Sequence, residues 1–274
     1  MCRLLGYVTD TPRSIADTLG ADLFEQFTSL CAIHGDGWGM AWDRPQAGIE
    51  TRTSHRSALD DPAYAELASR PLSSAGMVHL RWATNGLAVS PENTHPFSDG
   101  ALSLAHNGSI TPIPELEALL SAESRAALRG TTDSERYFRY VAQEVAGAED
   151  EPEAVRQAIS TLHAAFPASS LNALLLSETY LYAIHVNSNA TGPIASVAAM
   201  YESADEIPLG HADSTGYFAM AYRVREDSVH VISSGVSPDG WLPVPLDAVL
   251  AIDVRTREVT VHAISNATVA RSTR

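Results

Sequence analysis

The sequence predicts an α+β fold in which antiparallel sheets carry helices on their outer faces. Three observations point there. Short β-type runs fill both ends of the 274-residue chain, helical patterns fill its middle, and turn signals rather than long crossovers join neighbouring strands. The first set of strands is "RLLGYV" (3–8), "GWGMAWD" (37–43), "AGMVHLRW" (75–82) and "ALSLAHN" (101–107). A helix is expected over 15–31, and three more over 113–129, 134–146 and 152–166, where apolar residues recur at helical spacing. Residues 171–178 and 180–186 read as a hairpin turning near Glu178–Thr179, and strands at 216–224, 228–234, 248–254 and 258–264 complete the second set. Residues 187–214 show no clear period and read as a long loop, a length that in a compact domain is often functional. The acidic connector at 147–153 joins two helices, so a single domain over 1–274 is expected.

Composition excludes several classes. The net charge of −15 argues against nucleic acid, because phosphate binding relies on clustered Lys and Arg. Hydrophobic residues make up 45% of the chain, enough for a substantial core, yet no apolar run approaches the roughly 18 residues a membrane helix needs. The first thirty residues lack the pattern of a secretory signal, and two cysteines make no disulfide framework. A cytoplasmic protein is expected, with no nucleic-acid or membrane partner, and the acidic balance says little about substrate.

Five stretches carry residue types suited to chemistry. Cys2 reads either as a small hydrophobe entering the first strand or, with Met1 removed, as a thiol beside a free α-amine, a nucleophile with its own base. The alternating glycines of "HGDGWG" (34–39) lack the spacing of a phosphate loop and suit a strand that another backbone must approach closely. In "HLRWATNG" (79–86), Arg81 is either a surface ion-pair partner or a planar fork for a carboxylate, with Thr84 able to add a hydroxyl. In "AHNGSI" (105–110), Asn107–Gly108 is either a hairpin turn or a pair of donors for an oxyanion. In "TTDSE" (131–135), Thr132 and Glu135 form a capping box that starts a helix at 133 and leaves Asp133 in its first turn. His34, His79, His95 and His106 with Asp36 are an alternative metal set, but none has the spacing of a common zinc motif, and no metal is expected.

Taken in order, Cys2, "HLRWATNG", "NTHPF" (93–97), "AHNGSI" and "TDSE" resemble the class II glutamine amidotransferase domain. The resemblance implies the N-terminal nucleophile hydrolase fold, a four-layer αββα sandwich. It implies Cys2 as nucleophile, its α-amine as general base and acid, and Asn107 and Gly108 as the oxyanion donors. It further implies Arg81, with Thr84 beside it, at the α-carboxylate of a glutamine-like substrate and Asp133 at its α-ammonium. "CRLLGY" and "HGDGWG" depart from the synthase members and look like a standalone branch, which includes the γ-glutamyl hydrolase of the ergothioneine pathway and a subunit of a glutathione-degrading complex. The likeness extends over almost the whole chain and leaves no residues for a synthase domain. The implied activity is hydrolysis of the γ-amide of glutamine or a γ-glutamyl compound through a cysteine thioester, without cofactor. An ammonia-donating subunit for a separate synthase partner, a non-catalytic glutamine- or glutathione-binding subunit, and a homo-oligomer remain open.

Overall fold

The computed structural model describes residues 2–83, 90–201, 203, 207–236 and 239–264. In chain order its strands are β1 (Arg3–Arg13), β2 (Trp38–Arg44), β3 (Gly48–Ser54), β4 (Ser73–Leu80), β5 (Phe97–Ser98), β6 (Leu102–His106), β7 (Ala173–Ser177), β8 (Tyr180–His185), β9 (Met220–Val224), β10 (Ser228–Ser233), β11 (Leu242–Pro243), β12 (Ala248–Asp253) and β13 (Val259–Ala263). The helices are α1 (Ile15–Leu19), α2 (Ala21–Ser29), α3 (Pro62–Ala68), α4 (Ile113–Ala118), α5 (Ala122–Ala126), α6 (Asp133–Val145), α7 (Glu151–Ala165), α8 (Ile194–Ala198) and α9 (Ser214–Phe218). Two antiparallel sheets result, one of seven strands in the order β11-β9-β10-β1-β4-β2-β3 and one of six in the order β13-β12-β8-β7-β6-β5.

Strand alternation explains how they stack. On β1, Leu4 and Val8 join Leu174, Leu176, Leu181 and Ala183 of the other sheet, while Leu5 and Tyr7 turn the opposite way onto Ile15, Leu19 and Phe27 of α1 and α2. On β7, Leu174 and Leu176 face the seven-stranded sheet, whereas Ala173 and Leu175 meet Tyr137, Val141, Ile159 and Leu162 of α6 and α7. Both faces of these strands are buried, so they read as nearly continuous apolar runs rather than alternating ones. Each fully buried Leu contributes roughly 1.5–3 kcal/mol over an exposed one. Helices, sheet, sheet and helices make the four-layer αββα sandwich.

Several elements differ from the sequence expectation. The helix expected over 15–31 is broken at Gly20, and that over 113–129 divides into α4 and α5. The strand expected from 216 starts at Met220, because Asp213 caps α9 by accepting from the Gly216 N–H at 2.8 Å. The stretch expected to be loop, 187–214, contains α8, whose Ile194 and Val197 pack with Tyr217, Phe218 and Trp82. β3 and α3 were not foreseen. The 171–186 hairpin forms as expected, with Leu176 opposite Leu181.

Candidate active site

The two sheets end together around Cys2. In the seven-stranded sheet Arg3 pairs with Leu80, so Cys2 lies beside the chain leaving β4, which continues into Arg81 and Trp82. The "HGD" turn buttresses that chain: Arg81 N–H donates to Gly37 O at 2.8 Å, Asp36 N–H to Arg81 O at 3.0 Å, and Ala83 N–H to the Asp36 carboxylate at 2.8 Å. In the six-stranded sheet, β6 runs out at His106 and delivers Asn107. The Cys2 backbone nitrogen donates to Asn107 Oδ1 at 2.9 Å, joining the sheets across 105 residues. The Cys2 thiol points to Trp82 O at 3.9 Å.

No hairpin forms at Asn107–Gly108. The Asn107 N–H donates to Asn172 O, and its carbonyl accepts from Ser170 Oγ at 3.0 Å. A Cβ on Gly108 would run into the Ser170 carbonyl, so only glycine passes here. Asn107 is wholly buried, and while its Oδ1 is occupied, its Nδ2 donor has no partner. A buried amide without an acceptor costs about 1–3 kcal/mol, and such groups are retained where function uses them. His106 fastens the same turn: Nε2 donates to Ser170 O at 2.8 Å, which leaves Nδ1 to accept from Ser134 Oγ at 2.9 Å. Burial lowers the His106 imidazole below its usual range, against the opposing pull of Asp133.

On the other side of the thiol stands a pair of histidines. His95 Nδ1 and His79 Nε2 are 2.9 Å apart, with the rings perpendicular. The close approach foreseen for the 34–39 glycines is made by Gly39, where a Cβ would collide with the His95 carbonyl. Burial, reinforced by His79, lowers His95 to about 3, so the ring is neutral near pH 7. Burial also pushes the Cys2 thiol up, but the positive chain terminus and then His95 outweigh it and bring the thiol to about 7. His95 is neutral, and its ring stands beside the sulfur.

Arg81 is buried on the site wall, its Nη1 donating to Asp36 O at 3.4 Å. Burial lowers its guanidinium, while Cys2 and Asp36 raise it. Asp133 is buried in the first turn of α6, where Oδ2 accepts from Ile110 N–H at 2.6 Å, and it forms no ion pair with Lys or Arg among the described residues. Half of the expected capping box is present. Thr132 Oγ1 accepts from Glu135 N–H at 3.2 Å, but the Glu135 carboxylate reaches past Thr132 to the N–H groups of Arg129 and Gly130, each at 2.7 Å.

One pocket is therefore lined by Cys2, Arg81, Gly108 and Asp133, with Trp82 and His95 among its other walls. Of the residues expected at the site, only Thr84 lies outside the described residues, as does Met1. The sequence reading missed the His79–His95 contact and the part of Asn93, which accepts from Thr131 N–H at 3.0 Å and steadies the turn before α6. "NTHPF" carried the signal for both, since a polar cluster before a strand invites a look at what it faces.

Comparison with known proteins follows the same lines. The family described as class II glutamine amidotransferases matches residues 1–215. Over 101 residues the chain is 39% identical to the isomerizing glutamine–fructose-6-phosphate aminotransferase of Brucella abortus, covering 36% of this chain and 16% of that protein. Over 118 residues it is 29% identical to the gamma-glutamyl-hercynylcysteine sulfoxide hydrolase of Mycolicibacterium smegmatis, covering 40% of this chain and 52% of that protein. The chain thus spans only part of the length of these relatives. In fold it is similar to a glutamine aminotransferase class-II domain protein from Silicibacter pomeroyi (TM-score 0.64, 20% identity, 96% of this chain and 100% of that one). It is also similar to glutamine phosphoribosylpyrophosphate amidotransferase from B. subtilis (TM-score 0.67, 14% identity, 96% of this chain and 49% of that one).

Proposed function

The chain belongs to the class II glutamine amidotransferases, and from that membership we propose that it is an amidohydrolase that cleaves the γ-amide of glutamine or a γ-glutamyl compound at Cys2. Asn107 carries the reading: its Oδ1 holds the Cys2 nitrogen while its buried Nδ2 has no acceptor. The substrate's γ-carbonyl oxygen, charged in the transition state, is the acceptor that this donor and the Gly108 N–H would receive.

Removal of Met1 turns the Cys2 nitrogen into an α-amine, and the terminal charge that lowers the thiol then sits on Cys2 itself. The amine takes the thiol proton, and Sγ attacks the γ-carbon. The tetrahedral oxyanion collapses as the same amine returns the proton to the leaving nitrogen. A γ-glutamyl thioester remains, and water, deprotonated by the amine, attacks it to release glutamate and restore the thiol. Arg81 grips the α-carboxylate, to which Thr84 would add a hydroxyl, and Asp133, which forms no ion pair with Lys or Arg among the described residues, takes the α-ammonium. One cation and one anion set apart hold a zwitterion in a single orientation.

The leaving amine is larger than ammonia in this reading. Trp82, on the pocket wall, packs on the same buried cluster of Ile33, Val197, Tyr217 and Phe218 that Ala190, Ile194, Tyr201 and Ile207 of the segment containing α8 cover, which supports a role for that segment beside the pocket. The same reading keeps the protein cytoplasmic, as one domain over 1–274 with two free thiols. Glutamate release from glutamine and from a panel of γ-glutamyl amino acids and peptides tests it, with intact mass reporting Met1. The γ-glutamyl peptides should have the higher kcat/KM. Preference for glutamine would favour an ammonia-donating subunit for a separate synthase, and no release from any substrate by Met1-free protein would refute hydrolysis.

A further inference from the structure

Cys2, His79 and His95 form a constellation that the proposed hydrolysis uses only in part. Cys2 Sγ and one ring nitrogen from each histidine all lie within 4.8 Å of one another, and all three residues are buried. The two rings meet at 2.9 Å through Nδ1 of His95 and Nε2 of His79. Tetrahedral zinc, with bonds of roughly 2.0–2.3 Å to nitrogen and sulfur, spaces its donors roughly 3.3–3.7 Å apart. The ring–ring spacing is shorter than that range and the remaining spacings are no more than 4.8 Å, so the two rings must part and give up their mutual hydrogen bond to admit the metal. Imidazole and thiolate are also the donor types zinc selects. That contact uses one nitrogen of each ring, and the other nitrogens, His79 Nδ1 and His95 Nε2, are buried with no hydrogen-bond partner, so each ring has a nitrogen left to offer. Once Met1 is removed, the α-amine of Cys2 is a fourth donor and closes a small chelate ring with Sγ.

We infer that Cys2, His79 and His95, joined by the α-amine of Cys2, form an inhibitory site for a thiophilic divalent cation such as zinc. Binding forms a metal–sulfur bond in place of S–H and a metal–nitrogen bond in place of one N–H of the terminal ammonium, and both protons go to solvent, with nothing oxidised or reduced. The metal covers the nucleophile and occupies the nitrogen that serves as base, so metal and substrate exclude one another. The inhibitory part rests on the proposed role of Cys2, whereas metal binding itself does not.

Chelator-treated, Met1-free protein titrated with Co2+ tests the site directly. A thiolate-to-cobalt charge-transfer band should appear and be bleached by Zn2+. Zn2+ should also protect Cys2 from iodoacetamide and inhibit glutamate release until chelator is added. His79→Gln and His95→Gln should each weaken Co2+ binding at least tenfold, with circular dichroism reporting that they fold. Cys2→Ser should lose the band, and Cys31→Ser should keep it. A wild-type protein with no band and no protection overturns the inference, as does equal affinity in all the variants. Loss of activity on chelation would make the metal catalytic and overturn it too. Metal binding without any hydrolysis would sink the proposed function and leave the site standing, and hydrolysis without metal binding would do the reverse.

Discussion

Cys2 and Cys31 are almost equally buried, at 5% and 4% exposure, yet their thiols are shifted in opposite directions. Cys31 lies in the 3-10 turn Leu30–Ala32, within the core beneath the seven-stranded sheet, and burial pushes it up to about 11, with Asp60 adding to the rise. Cys2 meets the same burial, but the positive terminus and His95 bring it to about 7. Loss of solvent by itself makes a thiol inert. A reactive one requires positive charge and polar groups brought to the sulfur, and of the two cysteines Cys2, at the junction of the two sheet ends, is the one that has them.

The sharpest way to break this comparison is to delete each sulfur in turn. Cys2→Ala should lower the turnover of γ-glutamyl substrates by at least about 10⁴-fold, by analogy with loss of other covalent nucleophiles, while Cys31→Ala stays within about twofold. Steady-state kinetics on both variants decides the matter, and substantial turnover by Cys2→Ala removes the distinction. Asn107→Ala comes next. It takes away the unpartnered Nδ2 and the acceptor that holds the Cys2 nitrogen, so kcat should fall about 10²–10³-fold, with the variant still binding substrate. An unchanged kcat would mean that the orphan amide has no part in the transition state.

The smallest effect compares the thiols in one protein. Ionisation at about 7 against about 11 makes the thiolate far more abundant at Cys2 near neutrality. Its weaker intrinsic nucleophilicity offsets part of that gain, leaving about 10²-fold faster alkylation. Because deprotonation creates the reactive form, labelling of Cys2 rises with pH through about 7 and then levels, while Cys31 labelling is still rising well above pH 9. Iodoacetamide labelling followed by peptide mass spectrometry, in chelator, reads both residues at once. Comparable rates at pH 7.5 would show that the terminus does not tune Cys2.

Much of the site was legible in the sequence because its residues sit in short local patterns. The helix start at Asp133 follows from Thr132, whose hydroxyl meets the Glu135 N–H as any N-cap would. Gly39 was readable as a place of close approach, although nothing local indicated that the approaching backbone was that of His95. Glu135 shows where local rules fail. A capping box expects its carboxylate at Thr132 N–H, but the turn over 129–130 offers two donors, and two bonds prevail over one. α8 was missed for a related reason: five residues are too few to show a period, and Val197 is helical because Tyr217 and Phe218 give it an apolar surface to cover.

By itself, the sequence determined the layered α+β architecture and the candidate reactive residues, since strand and helix periods and short motifs are set by neighbours a few positions away. Only the tertiary structure decided that Cys2 and Asn107, 105 residues apart, share a hydrogen bond, that Asn107 retains an unused donor, and that two histidines face the sulfur. Those facts depend on how two sheets end against each other. That packing is settled by the sum of many buried contacts, which no short stretch of chain contains.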